Sequence, residues 1–294
     1  MKKTKICVTI VMFKINYPEA VMIGYLGPKG TFSHAAVQKF TNAQNSQLCE
    51  YTSIHKLIMA VENKDIDSAI VPIENSLDGS VNSTLDTLAF DADLFICAEY
   101  TMKVKENLMA LPETKICDIK KIMSHPQPIG QSSIMINTQF PDAVIEYTNS
   151  TASAAKQIFD TQDISTATIG PASCAELYGL KILIPECNDE KNNATRFVQL
   201  KKSPNTLISD NDKSSFIFTV DNKPGALFKV IEVLAQNKVN MLKIESRPEK
   251  KEFGRYIFFI DTDGNLKDEN LTKAWQEINS IAYKCKFLGS FQKG

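Results

Sequence analysis

From Met22 to Ile184, short apolar runs alternate with stretches of helical periodicity, and this alternation leaves few architectures open. Strands are predicted at Ile23–Leu26, Ser68–Pro72, Leu94–Ala98, Ile122–Ser124, Val144–Tyr147, Ala167–Ile169 and Ile182–Ile184. Helices are predicted between them at His34–Phe40, Ile54–Val61, Ser80–Leu88, Gln131–Asn137, Thr151–Phe159 and Ala172–Tyr178. Such an order predicts α/β architecture with mainly parallel sheet. The polar stretch KKSPNTLISDNDKS, Lys201–Ser214, then breaks the pattern and reads as a linker over 202–213. Beyond it strands are expected at Phe216–Val220, Val239–Glu245, Tyr256–Ile260 and Tyr283–Leu288, with helices at Ala226–Ala235 and Leu271–Ile278. That order, βαββαβ, is the ferredoxin-like split unit.

At roughly 150 residues per domain, 294 residues agree with two domains. A formal charge of −1 lacks the basic excess that grips nucleic acid. The apolar run Ile6–Phe13 is too short to span a bilayer, so no membrane partner is expected, and Met22 is a candidate start as well as Met1. Seven scattered cysteines without a CxxC pair fit neither a disulfide framework nor a zinc site, and point to a reducing cytoplasm. With three dispersed histidines, no metal site is expected.

Chemistry-bearing residues collect where predicted strands end. In GPKGTFSH, Gly27–His34, Gly30 permits a positive φ, and Thr31 or Ser33 caps a helix whose free N–H groups suit a carboxylate; a plain tight turn with a cap would read the same way. In VPIENSLDGSV, Glu74, Asn75 and Ser76 offer an acceptor, an amide and a hydroxyl, or simply a turn. In SHPQPIGQ, two prolines fix a turn that holds Ser124, His125 and Gln131. In NSTASAA, Ser150 or Thr151 caps a helix of small residues. The chain has 30 lysines but only three arginines, Arg196, Arg247 and Arg255, so arginine answers a demand lysine does not meet. In NNATRFVQL, Arg196 sits between Thr195 and Phe197 and offers a bidentate fork for a carboxylate, or a salt bridge between subdomains. In the C-terminal unit, NKPGALFKV and KIESRPEK end strands, and the first offers helix-start N–H groups to a small carboxylate.

Together and in order, GYLGPKGTFSHAA, VPIENSLDGSV, SHPQPIGQ, STASAAK and TRF resemble the dehydratase domain of prephenate dehydratases, and PGAL and ESRP resemble that family's regulatory ACT domain. The resemblance runs from Ile23 to the C-terminus. No counterpart of the helical chorismate mutase of bifunctional forms is expected, since too few residues precede Met22. It implies a type 2 periplasmic-binding-protein-like fold of two lobes that the chain crosses twice. Carried over, 1–21 is an extension, 22–201 the dehydratase domain (lobe one 22–98 plus 186–201, lobe two 99–185) and 214–294 the ACT domain.

It also implies a cofactor-free reaction: prephenate loses carbon dioxide and water to give phenylpyruvate, driven by aromatisation. The catalytic residues would be Thr195, donating to the departing hydroxyl, Arg196, anchoring a carboxylate, and Phe197, drying the cleft. The substrate set would be Gly30, Thr31, Ser33, Glu74, Asn75, Ser76, Ser124, His125, Gln131, Ser150 and Thr151. Phenylalanine would bind at Asn222, Pro224, Gly225, Ala226, Leu227, Asn240, Glu245, Ser246 and Arg247, between ACT domains paired in a homodimer or homotetramer. Two other functions fit the same residues: an arogenate dehydratase, with Glu74 facing the ammonium, and a non-catalytic sensor of aromatic acids.

Overall fold

The structure, a computed structural model, describes residues 20–41, 46–249 and 255–294. The run Ile6–Phe13 lies outside them.

Lobe one contains β1 (Val21–Leu26), α1 (Phe32–Phe40), β2 (Ser46–Tyr51), α2 (Ile54–Glu62), β3 (Ser68–Asn75), the short β4 (Gly79–Ser80), α3 (Asn82–Phe90) and β5 (Phe95–Lys103). Lobe two follows with β6 (Asn107–Ala110), β7 (Lys121–Ser124), α4 (Pro126–Gln131), α5 (Ser133–Gln139), β8 (Val144–Tyr147), α6 (Thr151–Thr161), β9 (Thr166–Gly170), α7 (Ala172–Tyr178) and β10 (Lys181–Ile184). The chain then crosses back, and β11 (Ala194–Lys201) inserts between β3 and β5.

Both sheets are mixed. In lobe one β1, β2 and β3 run parallel, but β11 is antiparallel to β3 and β5; in lobe two β6 pairs antiparallel with β9 and β10. The sheet expected to be mainly parallel is therefore antiparallel where the chain changes lobe. A strand arriving from the other lobe need not make the right-handed crossover that a parallel neighbour requires.

Three local readings change for identifiable reasons. SQLCEY escaped detection because β2 is a half-exposed edge strand with little apolar signal. The boundary expected at Glu99 moves to about Val104, because β5 stays paired with β11 through Lys103. The prolines of SHPQPIGQ open a helix rather than hold a turn: Pro126 is its first residue, where a missing N–H costs nothing, and His125 is the N-cap.

The C-terminal unit runs β12 (Asp212–Thr219), α8 (Ala226–Gln236), β13 (Met241–Pro248), β14 (Tyr256–Asp263), α9 (Glu269–Ile281) and β15 (Lys284–Gln292). This is the expected βαββαβ order, in an antiparallel sheet ordered β13-β14-β12-β15. Phe216, Phe218 and Ile260 face the helices on one side. Ile217, Ile257, Phe259, Leu288 and Phe291 face the other way and join the core of lobe one with Leu85, Leu88, Ile96, Val198 and Leu200. The polar linker thus joins two units that share one apolar core. Gly289 allows the contact: a Cβ there would lie 2.3 Å from the Ile96 carbonyl oxygen of β5.

Candidate active site

A cavity of about 360 Å³ lies between the two lobes. Its lining contains Thr31, Ser33, Asn75, His125, Gln131, Ser150, Thr151, Thr195 and Phe197, all chosen from sequence. It also contains Phe32, Val104, Glu106, Gln127 and Asn149, which were not.

β11 supplies Thr195 and Phe197. Residues two apart on a strand share a face, so both look into the cavity, and Arg196 between them looks the opposite way. Thr195 is opposite Asn75 on β3. The Asn75 side-chain oxygen accepts the N–H groups of Leu77 and Asp78 at 2.9 and 3.0 Å, which fixes the amide orientation. Its Nδ2 therefore points at β11, donating to Thr195 Oγ1 and to Asn193 Oδ1, each at 2.9 Å. With its oxygen occupied as an acceptor, the Thr195 hydroxyl keeps its proton to donate into the cavity. The network continues into lobe two, where Asn193 Nδ2 donates to Gln131 Oε1 at 2.9 Å. Gln131 and Gln127 in turn donate to Asp78 of lobe one, bridging the cleft.

Two helix starts face the same space. Thr31 caps α1 by accepting the His34 N–H, and Ser150 caps α6 in a reciprocal pair with Ser153. First-turn N–H groups at these ends favour an anion. Among the described residues, no lysine or arginine lines the cavity, so a bound carboxylate meets neutral dipoles rather than a fixed cation there.

Several residues chosen from sequence are engaged elsewhere. Arg196 does not reach the cavity. Its guanidinium pairs with Asp261 of β14 at 2.7 Å, Glu74 at 3.3 Å and Glu99 at 3.4 Å, at the junction with the C-terminal unit. Burial opposes its charge, but Asp261 and Glu99 outweigh it and raise its pKa further. Glu74 follows the same alternation on β3: it faces that junction and binds Lys243 at 3.0 Å, so it is not placed to meet a substrate ammonium. Ser76 ties its turn to the returning chain by accepting the Ala194 N–H. Ser124 is buried and donates to the Ile169 carbonyl. Gly30, at φ +90°, offers its carbonyl to Ser173 and Cys174 of lobe two, at 2.8 and 3.1 Å. A Cβ there would crowd Leu177 and Cys174, so this glycine serves lobe-to-lobe contact.

Glu106 is 1% exposed, and burial alone pushes its pKa up to about 8. The folded state therefore holds this proton more tightly than the unfolded chain. Its contribution to stability is complete below about pH 4.5 and is lost as pH rises to about 8. Glu106→Gln removes this dependence, so the variant should gain on the parent across that window in urea melts; equal pH slopes would show an ionised carboxylate instead.

Two family models divide the chain where the structure does. Residues 23–205 match that of prephenate dehydratase, and 214–279 match that of the ACT domain. The chain belongs to the prephenate dehydratase family. It is 35% identical over 273 residues to the prephenate dehydratase of Lactococcus lactis, covering 92% of this chain and 96% of that one. The crystal structure of an Arthrobacter aurescens prephenate dehydratase in complex with L-Phe superposes with a TM-score of 0.85 at 31% identity, covering 93% of this chain and 90% of that one. A quorum quenching acylase of a novel type also superposes, with a TM-score of 0.83 at 27% identity over 93% of this chain and 98% of that one.

In the ACT domain, Gly225 takes φ +81° at the start of α8, and Pro224 and Ala226 line a second cavity of about 550 Å³ with Asp221, Lys223, Lys229 and Tyr283. Asn222 and Leu227 flank these positions. Glu245 and Ser246 lie on the edge strand β13, at the same end of the sheet and with β14 between. Asn240 donates to Asp263, and Arg247 is an interdomain clamp bound to Asp86 at 2.8 Å and to Asn82 of α3. Arg247 is therefore not free to meet an effector carboxylate within this chain.

Of the site residues that sequence reasoning passed over, Asn193, which links Asn75 to Gln131, was within reach, since it precedes Thr195 by two on the same extended segment. Glu106 had no signal of its own: only the fold shows that it precedes the wholly buried run Asn107–Ala110.

Proposed function

We propose that this protein catalyses the decarboxylating dehydration of prephenate to phenylpyruvate, with phenylalanine as its regulator. The observation that carries the reading is the Asn75–Thr195 pair. It presents a hydroxyl donor, proton outward, to a cavity between two lobes that no lysine or arginine lines among the described residues. A leaving hydroxyl gathers negative charge as its bond breaks, and a preorganised donor stabilises that charge selectively. A fixed cation on the carboxylate that must depart would hold the ground state instead. The reading fails if the purified chain forms no phenylpyruvate from prephenate.

Arogenate differs by an ammonium, for which Glu74 is no longer available; assaying both substrates separates them. An acylase would need a nucleophile with its base alongside. Among the described residues, none of the lining hydroxyls of Thr31, Ser33, Ser150, Thr151 and Thr195 is hydrogen-bonded to His125.

Regulation rests on the ACT domain and on the Arthrobacter relative's complex with L-Phe. The β13 edge is open, and Leu242 and Ile244 on it are exposed, which supports side-by-side pairing of two ACT domains in a homodimer or larger assembly. That pairing would bring one subunit's Glu245–Ser246 segment to its partner's edge. Phenylalanine at micromolar to millimolar concentration should shift the melting temperature or the activity of the full chain. No response in either measurement counts against this regulation.

A further inference from the structure

Loss of carbon dioxide and hydroxide from a prephenate dianion leaves a phenylpyruvate monoanion, so the overall reaction consumes one proton. Thr195 is too weak an acid to give up its own. A second group facing the substrate has to supply it. Resting on the reading of this chain as a prephenate dehydratase, we propose that Glu106 is the general acid that protonates the departing hydroxyl.

Glu106 sits at the first crossing between the lobes, three residues beyond the end of β5 at Lys103 and immediately before β6. Its backbone is clamped to the second crossing: its N–H donates to Asn188 Oδ1 at 3.2 Å and its carbonyl accepts the Cys187 N–H at 2.7 Å. So anchored, Glu106 lines the same cavity as Thr195. Its Oε2 is buried and has no hydrogen-bond partner among the described residues. A buried carboxyl oxygen without a partner is costly unless it is neutral or meets a ligand. Burial pushes its pKa up to about 8, which keeps the proton on at neutral pH. The thiols of Cys174 on α7 and Cys187 on the second crossing are its titratable neighbours, and burial raises them to about 12 and about 11, so neither brings a charge. Across the cavity, His125 is the other titratable group in the lining among the described residues, and its Nδ1 accepts the Gln127 N–H.

The step balances. The bond from ring carbon to the departing carboxylate breaks, and its electron pair enters the ring. The ring carbon–oxygen bond breaks with its pair on oxygen, which takes the Glu106 proton and leaves as water. Glu106 remains as a carboxylate and recovers a proton from solvent after product release. Thr195 steadies the oxygen by a hydrogen bond during transfer, and keeps its own proton.

The test measures phenylpyruvate formation by the full chain from about pH 6 to about pH 10, for the parent and for Glu106→Gln, a shape match to the neutral acid. The parent's kcat/KM should fall as pH rises through about 8. The variant should lose about 10²–10³ in kcat at neutral pH, lack that falling limb and bind phenylpyruvate with the parent's affinity. A parent profile flat across the alkaline range overturns the assignment without any appeal to the variant. So does a variant that turns over within about fivefold of the parent. A parent that makes no phenylpyruvate sinks the dehydratase reading and this assignment together, whereas an active parent beside an equally active variant sinks the assignment alone.

Discussion

Thr195→Ala should lower kcat for prephenate by about 10²–10³, with a much smaller change in KM, because it removes a donor aimed at charge that exists only as the leaving oxygen departs. Thr195→Ser keeps the hydroxyl and should retain most of the lost activity. The geometry sharpens the expectation beyond the loss of one group. Asn75 Nδ2 donates to both Thr195 and Asn193, and its own oxygen is fixed by the Leu77 and Asp78 N–H groups. The donor's direction is thus set before substrate arrives, which is where preorganisation gains its effect. Steady-state kinetics on the two variants checks this. An alanine variant with near-parental turnover would remove Thr195 from the chemistry.

The second large effect is on stability. Arg196→Ala should destabilise the full chain by about 3–5 kcal/mol in denaturant titration, the scale for removing one partner from a buried ion pair. The side chain is 13% exposed, and the Glu99 side chain beside it is 3% exposed. Lys213 reaches Glu99 at 2.7 Å and Lys243 reaches Glu74 at 3.0 Å, so Arg196, Lys213 and Lys243 balance Glu74, Glu99 and Asp261 across the domain junction. Removing the guanidinium leaves three carboxylates to two ammonium groups in a largely dry space. Arg196→Lys keeps the charge but not a fork that touches three acids, so it should fall between the two, with KM for prephenate close to the parent's. A loss below about 1 kcal/mol for Arg196→Ala would mean the junction is open to water. A KM raised more than about tenfold in Arg196→Lys would return the residue to the cleft.

This network also gives the ACT domain a physical hold on the strand that carries Thr195. Arg196 is flanked by Thr195 and Phe197, and Glu74 adjoins Asn75, so the two residues of the donor pair each have a neighbour clamped from the opposite face by ACT side chains.

The sequence by itself carried the architecture, because alternating apolar runs and turn-rich strand ends are local features that each segment displays without its partners. It carried most of the polar lining of the cleft for the same reason: Thr31, Asn75, His125, Gln131, Ser150 and Thr195 stand in motifs at strand ends. The rarity of arginine singled out Arg196 but left open whether it forks onto a carboxylate or bridges subdomains. Period-two alternation places Arg196 on the face opposite Thr195, and only the tertiary structure shows that this face brings it to Glu74 and Glu99 of the neighbouring strands and to Asp261 of the stacked C-terminal sheet. Glu106 depended on tertiary structure altogether. A glutamate beside an apolar run has no distinctive pattern, and its proton affinity comes from burial, which chain segments far apart in sequence create when two lobes and two crossings meet.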